Sequence, residues 1–193
     1  MVNVYELMKK RRSIRKYKSD PISKVALENI LAAGGFAPSG ANRQPWLFVT
    51  VDDPLLQKEI RIQSEEVDAI WNAKKGEGFR QWLKNQDIAE GSKPFLEEAP
   101  ILLVVFADAD QPYWFESTWI AIAYMLLAVE NEGLGTLTYT PGYPEFLNEL
   151  LNVPLRYRPQ VILPLGFSNE IPDPVSRKRK SLDQVVYKNY YRD

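Results

Sequence analysis

The chain contains neither cysteine nor histidine among its 193 residues. Without cysteine there are no disulfides, iron–sulfur clusters, thiolate nucleophiles or cysteine zinc sites. Without histidine the usual general base, the serine triad and the commonest metal ligand are gone, so no metal site is expected. Redox chemistry in such a chain requires a bound organic cofactor. Otherwise carboxylate, lysine, tyrosine or backbone groups must do the work, or the protein only binds. An excess of charge is also lacking: the formal net charge is −1, which draws the chain neither to nucleic acid nor to anionic lipid. The longest apolar run, Trp119 to Val129, is too short to span a bilayer, and Met1 to Arg12 has no apolar signal core. A cytoplasmic protein is expected.

What is present suits a packed core. The chain is 45% hydrophobic, 25% charged and 12% aromatic, with no internal repeat and no linker, so residues 1–193 read as one α/β domain. Val4, Leu7 and Met8 predict a short helix at the start. Ser23 is an N-cap candidate for a second helix, which Gly34-Gly35 would end. Trp46 to Val51 predicts a strand, Leu55 to Ala73 a long helix, and Pro100 to Phe106 a strand covered on both faces. From Lys74 to Glu98 the pattern loosens into a mobile, partly helical excursion. Trp114 to Glu132 is apolar around almost its whole circumference, which predicts central burial or a subunit interface. Thr136 to Thr140 and Val161 to Phe167 predict further strands, with a helix near Pro144 to Leu151 between them. The apolar tail from Ser168 needs a surface, and a second subunit is a natural one.

Three basic clusters stand out: Lys9 to Arg12 with Arg15, then Arg43, then Arg177 to Lys180. They are solvated surface charge, a nucleic-acid arm that the charge balance argues against, or a phosphate site built on bidentate arginines. An extended Arg11 to Arg15 would place Arg11, Ser13 and Arg15 on one side. The segment Ala37-Pro38-Ser39-Gly40-Ala41-Asn42-Arg43-Gln44-Pro45-Trp46 joins helix to strand as a tight loop rich in hydrogen-bonding groups.

Lys10-Arg11-Arg12-Ser13-Ile14-Arg15, Ala37-Pro38-Ser39-Gly40-Ala41 with Gln44-Pro45-Trp46, and Lys178-Arg179-Lys180-Ser181-Leu182-Asp183-Gln184 occur in that order. Together they resemble the nitroreductase superfamily, most closely its iodotyrosine deiodinase branch, from about Tyr5 to Gln184. The resemblance implies an α+β fold, a three-layer α/β sandwich with a mixed central sheet flanked by helices. It implies a domain-swapped homodimer with a lid at about 65–98 and a C-terminal dimer arm at about 168–193.

The resemblance further implies flavin mononucleotide (FMN) as cofactor. Arg11, Arg12, Ser13 and Arg15 would hold its phosphate, ribityl chain and pyrimidine edge, and Arg179 would reach the phosphate from the arm. Pro38, Ser39 and Gly40 would meet the isoalloxazine ring, with the Ala41 backbone facing substrate. Thr138, Tyr139 and Thr140 would pass under the flavin, Thr140 offering a catalytic hydroxyl to N5 that favours single-electron steps. The deiodinase lid closes on an amino-acid zwitterion with a carboxylate, a tyrosine and a lysine. Lys93 fits the lysine, while counting back puts Asp68 at the carboxylate and Asn72 at the tyrosine. Trp71 is one position off, and Glu65 and Glu66 compete with Asp68. The implied reaction is reduction of a small aromatic, either a halotyrosine-like phenol losing halide or a nitroaromatic or quinone. The latter needs only an apolar slot, which Trp71, Phe79 and Trp82 would line. NAD(P)H is a candidate electron donor, and a flavin-binding protein without turnover is the alternative.

Overall fold

The computed structural model describes residues 3–85, 91–171 and 179–191. Helix α1 spans Val4–Lys10 and α2 spans Lys24–Gly35, the latter capped by the Ser23 side chain, which accepts the Ala26 N–H. Gly34 and Gly35 lie inside α2 and Phe36 caps it, so the glycine pair marks the last turn. Strand β1 (Trp46–Val51) leads into α3 (Pro54–Lys74), then α4 (Gly76–Asn85) and the single turn α5 (Phe95–Glu98). Strand β2 (Ile101–Asp108), the long helix α6 (Trp114–Asn131), α7 (Phe146–Leu150) and β3 (Tyr157–Leu165) follow.

The three strands form an antiparallel sheet in the order β1-β2-β3. Side chains alternate faces along a strand, and β2 is apolar on both. Leu102, Val104 and Phe106 pack with Ile60 of α3, Leu96 of α5 and Leu147 of α7. Leu103 and Val105 pack with Ile30 of α2 and with Ile122 and Met125 of α6. That two-sided burial explains the uninterrupted apolar run and yields three layers, with helices on each face of the sheet.

The mixed sheet and its strand at Thr136 to Thr140 need correction. The regular strands are purely antiparallel. The 135–140 segment joins the free edge of β3 only through isolated bridges, Gly135 with Gly166 and Tyr139 with Ile162. Continuing that register pairs Leu137 with Pro164, which has no N–H to give, so the ladder breaks there. The Pro164 carbonyl instead accepts the Tyr17 hydroxyl at 3.3 Å. Among the described residues one parallel bridge, Ser13 with Thr136, is all that remains of the mixed character.

Two apolar surfaces stay open. Phe115, Ile120 and Tyr124 of α6 are exposed, and so are Leu182 (77%), Val186 (62%) and Tyr190 (73%) of the tail. Among the described residues, no helix is long and apolar enough to cross a membrane.

Candidate active site

The site is built on α3. Asp53 caps that helix by accepting the Leu55 N–H, and Pro54 occupies its first position, where no N–H is needed. Gln57, buried one turn on, donates from Nε2 to the carbonyls of Val51 and Ala99, both at 3.2 Å, which fixes the helix over the sheet edge. Positions 64, 68, 71 and 75 share one helical face, and that face meets the 139–143 segment. The Asp68 carboxylate accepts the Tyr139 hydroxyl at Oδ2 (2.9 Å) and the Gly142 N–H at Oδ1 (2.8 Å). Trp71 lies so close to Gly142 that a Cβ there would sit 2.5 Å from the tryptophan Cβ. Lys74 donates to the Tyr143 hydroxyl at 3.0 Å, and the Lys75 ammonium lies 4.1 Å from the Trp71 ring centroid.

Lys93 comes to the same place from the turn before α5. Its Nζ is 2.9 Å from Asp68 Oδ2, and its own N–H donates to Glu65 Oε1 at 2.6 Å. Glu65 is already held by Arg61, which also bonds Glu97, and Glu66 is exposed. Of the three acidic candidates, Asp68 is therefore the one at the site. Burial, reinforced by the Asp68 charge, pushes the Tyr139 hydroxyl well above the ordinary tyrosine pKa. It stays protonated and donates.

A cavity of ≈580 Å³ opens between α3 and this segment, within the usual size range for small-molecule sites. Arg15, Asp68, Asn72 and Lys93 line it together with Thr138, Tyr139 and Thr140. Trp71 and Phe79 form an edge-to-face pair on its wall with centroids 5.4 Å apart. The Trp82 side chain, expected beside them, lies outside the described residues. Thr138 and Thr140 are both exposed.

The remaining expected residues divide. Ser13 is held beside Thr136, and the Arg15 N–H donates to Glu170 at 2.6 Å. Arg12 turns back instead, donating to the Lys9 carbonyl at 2.6 Å and the Arg11 carbonyl at 3.1 Å, which satisfies the open end of α1. It lines a second cavity of ≈390 Å³ beside Glu130 and Glu170. Arg11 donates to the Arg12 carbonyl at 3.4 Å. Arg179 is exposed on the tail; Arg177 and Lys178 lie outside the described residues.

The Pro38 to Ala41 loop lies elsewhere, at the N-terminal end of α6. Gly40 donates to Ser117 Oγ at 3.3 Å, and a Cβ at Gly40 would stand 2.3 Å from the Tyr113 ring. Ser39 Oγ accepts the Gln44 N–H at 2.9 Å. Ala41, Asn42 and Gln44 all take positive φ (50°, 53° and 48°), a costly conformation for non-glycine residues. Ser13 and Thr136 sit beyond the other end of α6, whose 18 residues span about 27 Å. One chain does not bring these two groups together.

Two participants escaped sequence reasoning. For Gly142 the one signal in the sequence is a glycine following Thr140-Pro141, with an aromatic helix to pack against. The resemblance lays Tyr139 along the flavin, and nothing local points its hydroxyl at Asp68. Among the described residues no cluster of metal-ligating side chains occurs.

This arrangement matches a known family. The Nitroreductase family profile matches residues 8–167. The chain belongs to the nitroreductase family. Within it, the chain is 39% identical to an iodotyrosine deiodinase of Thermotoga neapolitana, over 88% of this chain and 91% of that one. It is 34% identical to iodotyrosine deiodinase 1 of Homo sapiens, over 94% of this chain and 67% of the human protein. A crystal structure of oxidized iodotyrosine deiodinase bound to FMN and 3-iodo-L-tyrosine superposes with a TM-score of 0.89 at 35% identity, covering 98% of this chain and all of that one. An FMN-dependent nitroreductase from Clostridium difficile superposes at 0.70 with 29% identity, covering 96% of this chain and 98% of that one.

Proposed function

We propose that this chain is an FMN-dependent oxidoreductase that removes halide from halotyrosine-like phenols. The oxidoreductase class and FMN follow from family membership and from the FMN-bound deiodinase it resembles. The residues fit that cofactor. Arg15 and the exposed hydroxyls of Thr138 and Thr140 share one wall of the cavity, offering fixed positive charge and donors to a phosphorylated, acceptor-rich ring. Arg11, Arg12, Ser13 and Arg179 complete the set that would hold FMN, with Tyr139 contributing backbone beneath it. Arg12 would have to leave the α1 carbonyls to do so. Pro38, Ser39, Gly40 and the Ala41 backbone would come from a second copy of the chain. The open faces of α6 and of the tail, the C-terminal arm, are the surfaces such a domain-swapped dimer would bury.

FMN, when bound, supplies the electrons. The reaction replaces a carbon–halogen bond with a carbon–hydrogen bond: two electrons and one proton enter, and halide leaves. Thr140, on the cavity wall, would offer its hydroxyl to the flavin. Trp71 and Phe79 flank the aromatic part of the substrate. Asp68 and Lys93 take its ammonium and carboxylate. The observation that carries this reading is the Asp68–Lys93 pair, 2.9 Å apart on the wall of an aromatic cavity.

A second reading, reduction of nitroaromatics or quinones with NAD(P)H as donor, is favoured by Asn72 standing where the deiodinase lid places a tyrosine. Oxidation of the dithionite-reduced holoprotein by 3-iodotyrosine, run beside a nitroaromatic, decides between them. Iodotyrosine should oxidise the flavin faster and release iodide. A preference for the nitroaromatic selects the second reading, and no oxidation by either selects flavin binding without turnover.

A further inference from the structure

The lid of the deiodinase branch needs a carboxylate, a tyrosine and a lysine, and in this chain the helix position expected for the tyrosine is Asn72. A tyrosine is nevertheless present, delivered from a different element. The Tyr139 hydroxyl and the Lys93 ammonium each lie 2.9 Å from the same atom, Asp68 Oδ2. The Tyr139 ring also faces the lysine, with Nζ 5.5 Å from its centroid, and packs edge-to-face on Phe95 at 5.6 Å. One side chain therefore contacts both charged partners and is itself wedged in place.

We infer that Tyr139 is the positioning residue of the substrate site, holding Asp68 and Lys93 in the orientation that receives a zwitterionic amino acid. The inference rests on the halotyrosine reading above.

The hydrogen-bond inventory of Asp68 supports this. A carboxylate offers about four acceptor positions. Tyr139 and Gly142 of one segment and Lys93 from another fill three of them, which leaves one for a substrate ammonium. Lys93 Nζ has three N–H groups. It spends two on Asp68 and the Gly91 carbonyl, at 2.9 and 3.2 Å, and keeps one for a substrate carboxylate. The Tyr139 hydroxyl gives its one proton to Asp68 Oδ2, so it acts through that carboxylate rather than on the ligand. Trp71 against Gly142 and Lys74 on Tyr143 dock the next two turns of α3 on the same segment.

The test uses the FMN-loaded enzyme and Tyr139→Phe, which keeps the ring and removes only the hydroxyl. Losing a hydrogen bond to a charged group should weaken 3-iodotyrosine binding roughly tenfold, read by quenching of flavin fluorescence, and raise its KM in step with little change in kcat. Binding of 2-iodophenol, which has no amino-acid part, should not change. Added to Lys93→Met, the substitution should cost less than the product of the two single effects. Amide exchange of α3 around Asp68 should quicken in Tyr139→Phe without any substrate. Equal weakening for both ligands, full additivity with Lys93→Met, or unchanged exchange around Asp68 would overturn the inference. A parent enzyme that ignores iodotyrosine while exchange still quickens would overturn the halotyrosine reading instead.

Discussion

Lys93 Nζ stands 2.9 Å from Asp68 Oδ2, and the two side chains are only 11% and 18% exposed. Pairs this sheltered are seldom retained for stability, since desolvating two charges offsets most of their attraction. A task at the cavity explains the pair better. Lys93→Ala should raise the KM for 3-iodotyrosine at least about tenfold, the scale of one lost charged hydrogen bond. The rate with a nitroaromatic should stay within about twofold, because that substrate brings no carboxylate to pair. Steady-state kinetics with both acceptors checks this, and parallel losses would detach Lys93 from amino-acid recognition.

Gly142 sets how closely α3 approaches the sheet edge. A Cβ there meets the Trp71 Cβ at 2.5 Å and its Cγ at 2.7 Å, neither of them a flexible tip that can swing aside. Gly142→Ala should destabilise the protein by about 1–3 kcal/mol, as overpacking commonly does. It should also lengthen the bond between the Gly142 N–H and Asp68, so iodotyrosine binding should weaken along with stability. Urea unfolding and flavin-fluorescence titration of the variant measure the two effects. Unchanged stability would mean that the helix yields readily, and that the contact does not fix α3 in place.

Much of this was legible in the sequence, for local reasons. The Ser23 cap, the β-rich run from Trp46 to Val51 and the apolar helix ending before Gly133 are each encoded within a few residues, and the structure keeps them almost to the residue. The 135–140 strand was not legible, because its break depends on Pro164 lying opposite Leu137 across the sheet. Glu65, Glu66 and Asp68 occupy one helical turn, and only the packing of α3 decides which of them faces the cavity. Arg12 sits in a basic motif that resembles a phosphate site, yet its guanidinium bonds the carbonyls that end α1, a competition a linear pattern does not register. The tyrosine near Asp68 lies far along the chain at Tyr139, beyond the reach of the count along the resemblance that gives Asn72.

Gln57 ties the first turns of α3 to the ends of both neighbouring strands. Its side chain is 4% exposed, and its single NH₂ group serves the carbonyls of Val51, Ala99 and Pro100. Gln57→Leu preserves bulk but leaves these carbonyls short of a donor in a site closed to water. A loss of about 1–3 kcal/mol in unfolding free energy is expected, the usual penalty for stranding buried polar groups. A loss under about 0.5 kcal/mol, the level of an ordinary surface change, would show that water reaches the carbonyls.

The separation of Gly40 from Arg15 yields the sharpest test of a site shared between two chains. Gly40→Val would drive a side chain into the Tyr113 ring, where even a Cβ stands at 2.3 Å, and so displace the Pro38 to Ala41 loop. Arg15→Ala removes the cation at the other group. In the proposed homodimer each variant alone should retain FMN poorly, because every site carries the defect. Co-expressed with different affinity tags and purified through both, the two variants form a mixed dimer. If a site takes Arg15 from one chain and Gly40 from the other, one of its two sites is wholly intact. Flavin absorbance should then return to about half the parent content per dimer, as the pairing of subunits requires. If both groups served the same site within one chain, every site in the mixed dimer would carry one defect, and the flavin content would stay as low as in either variant alone.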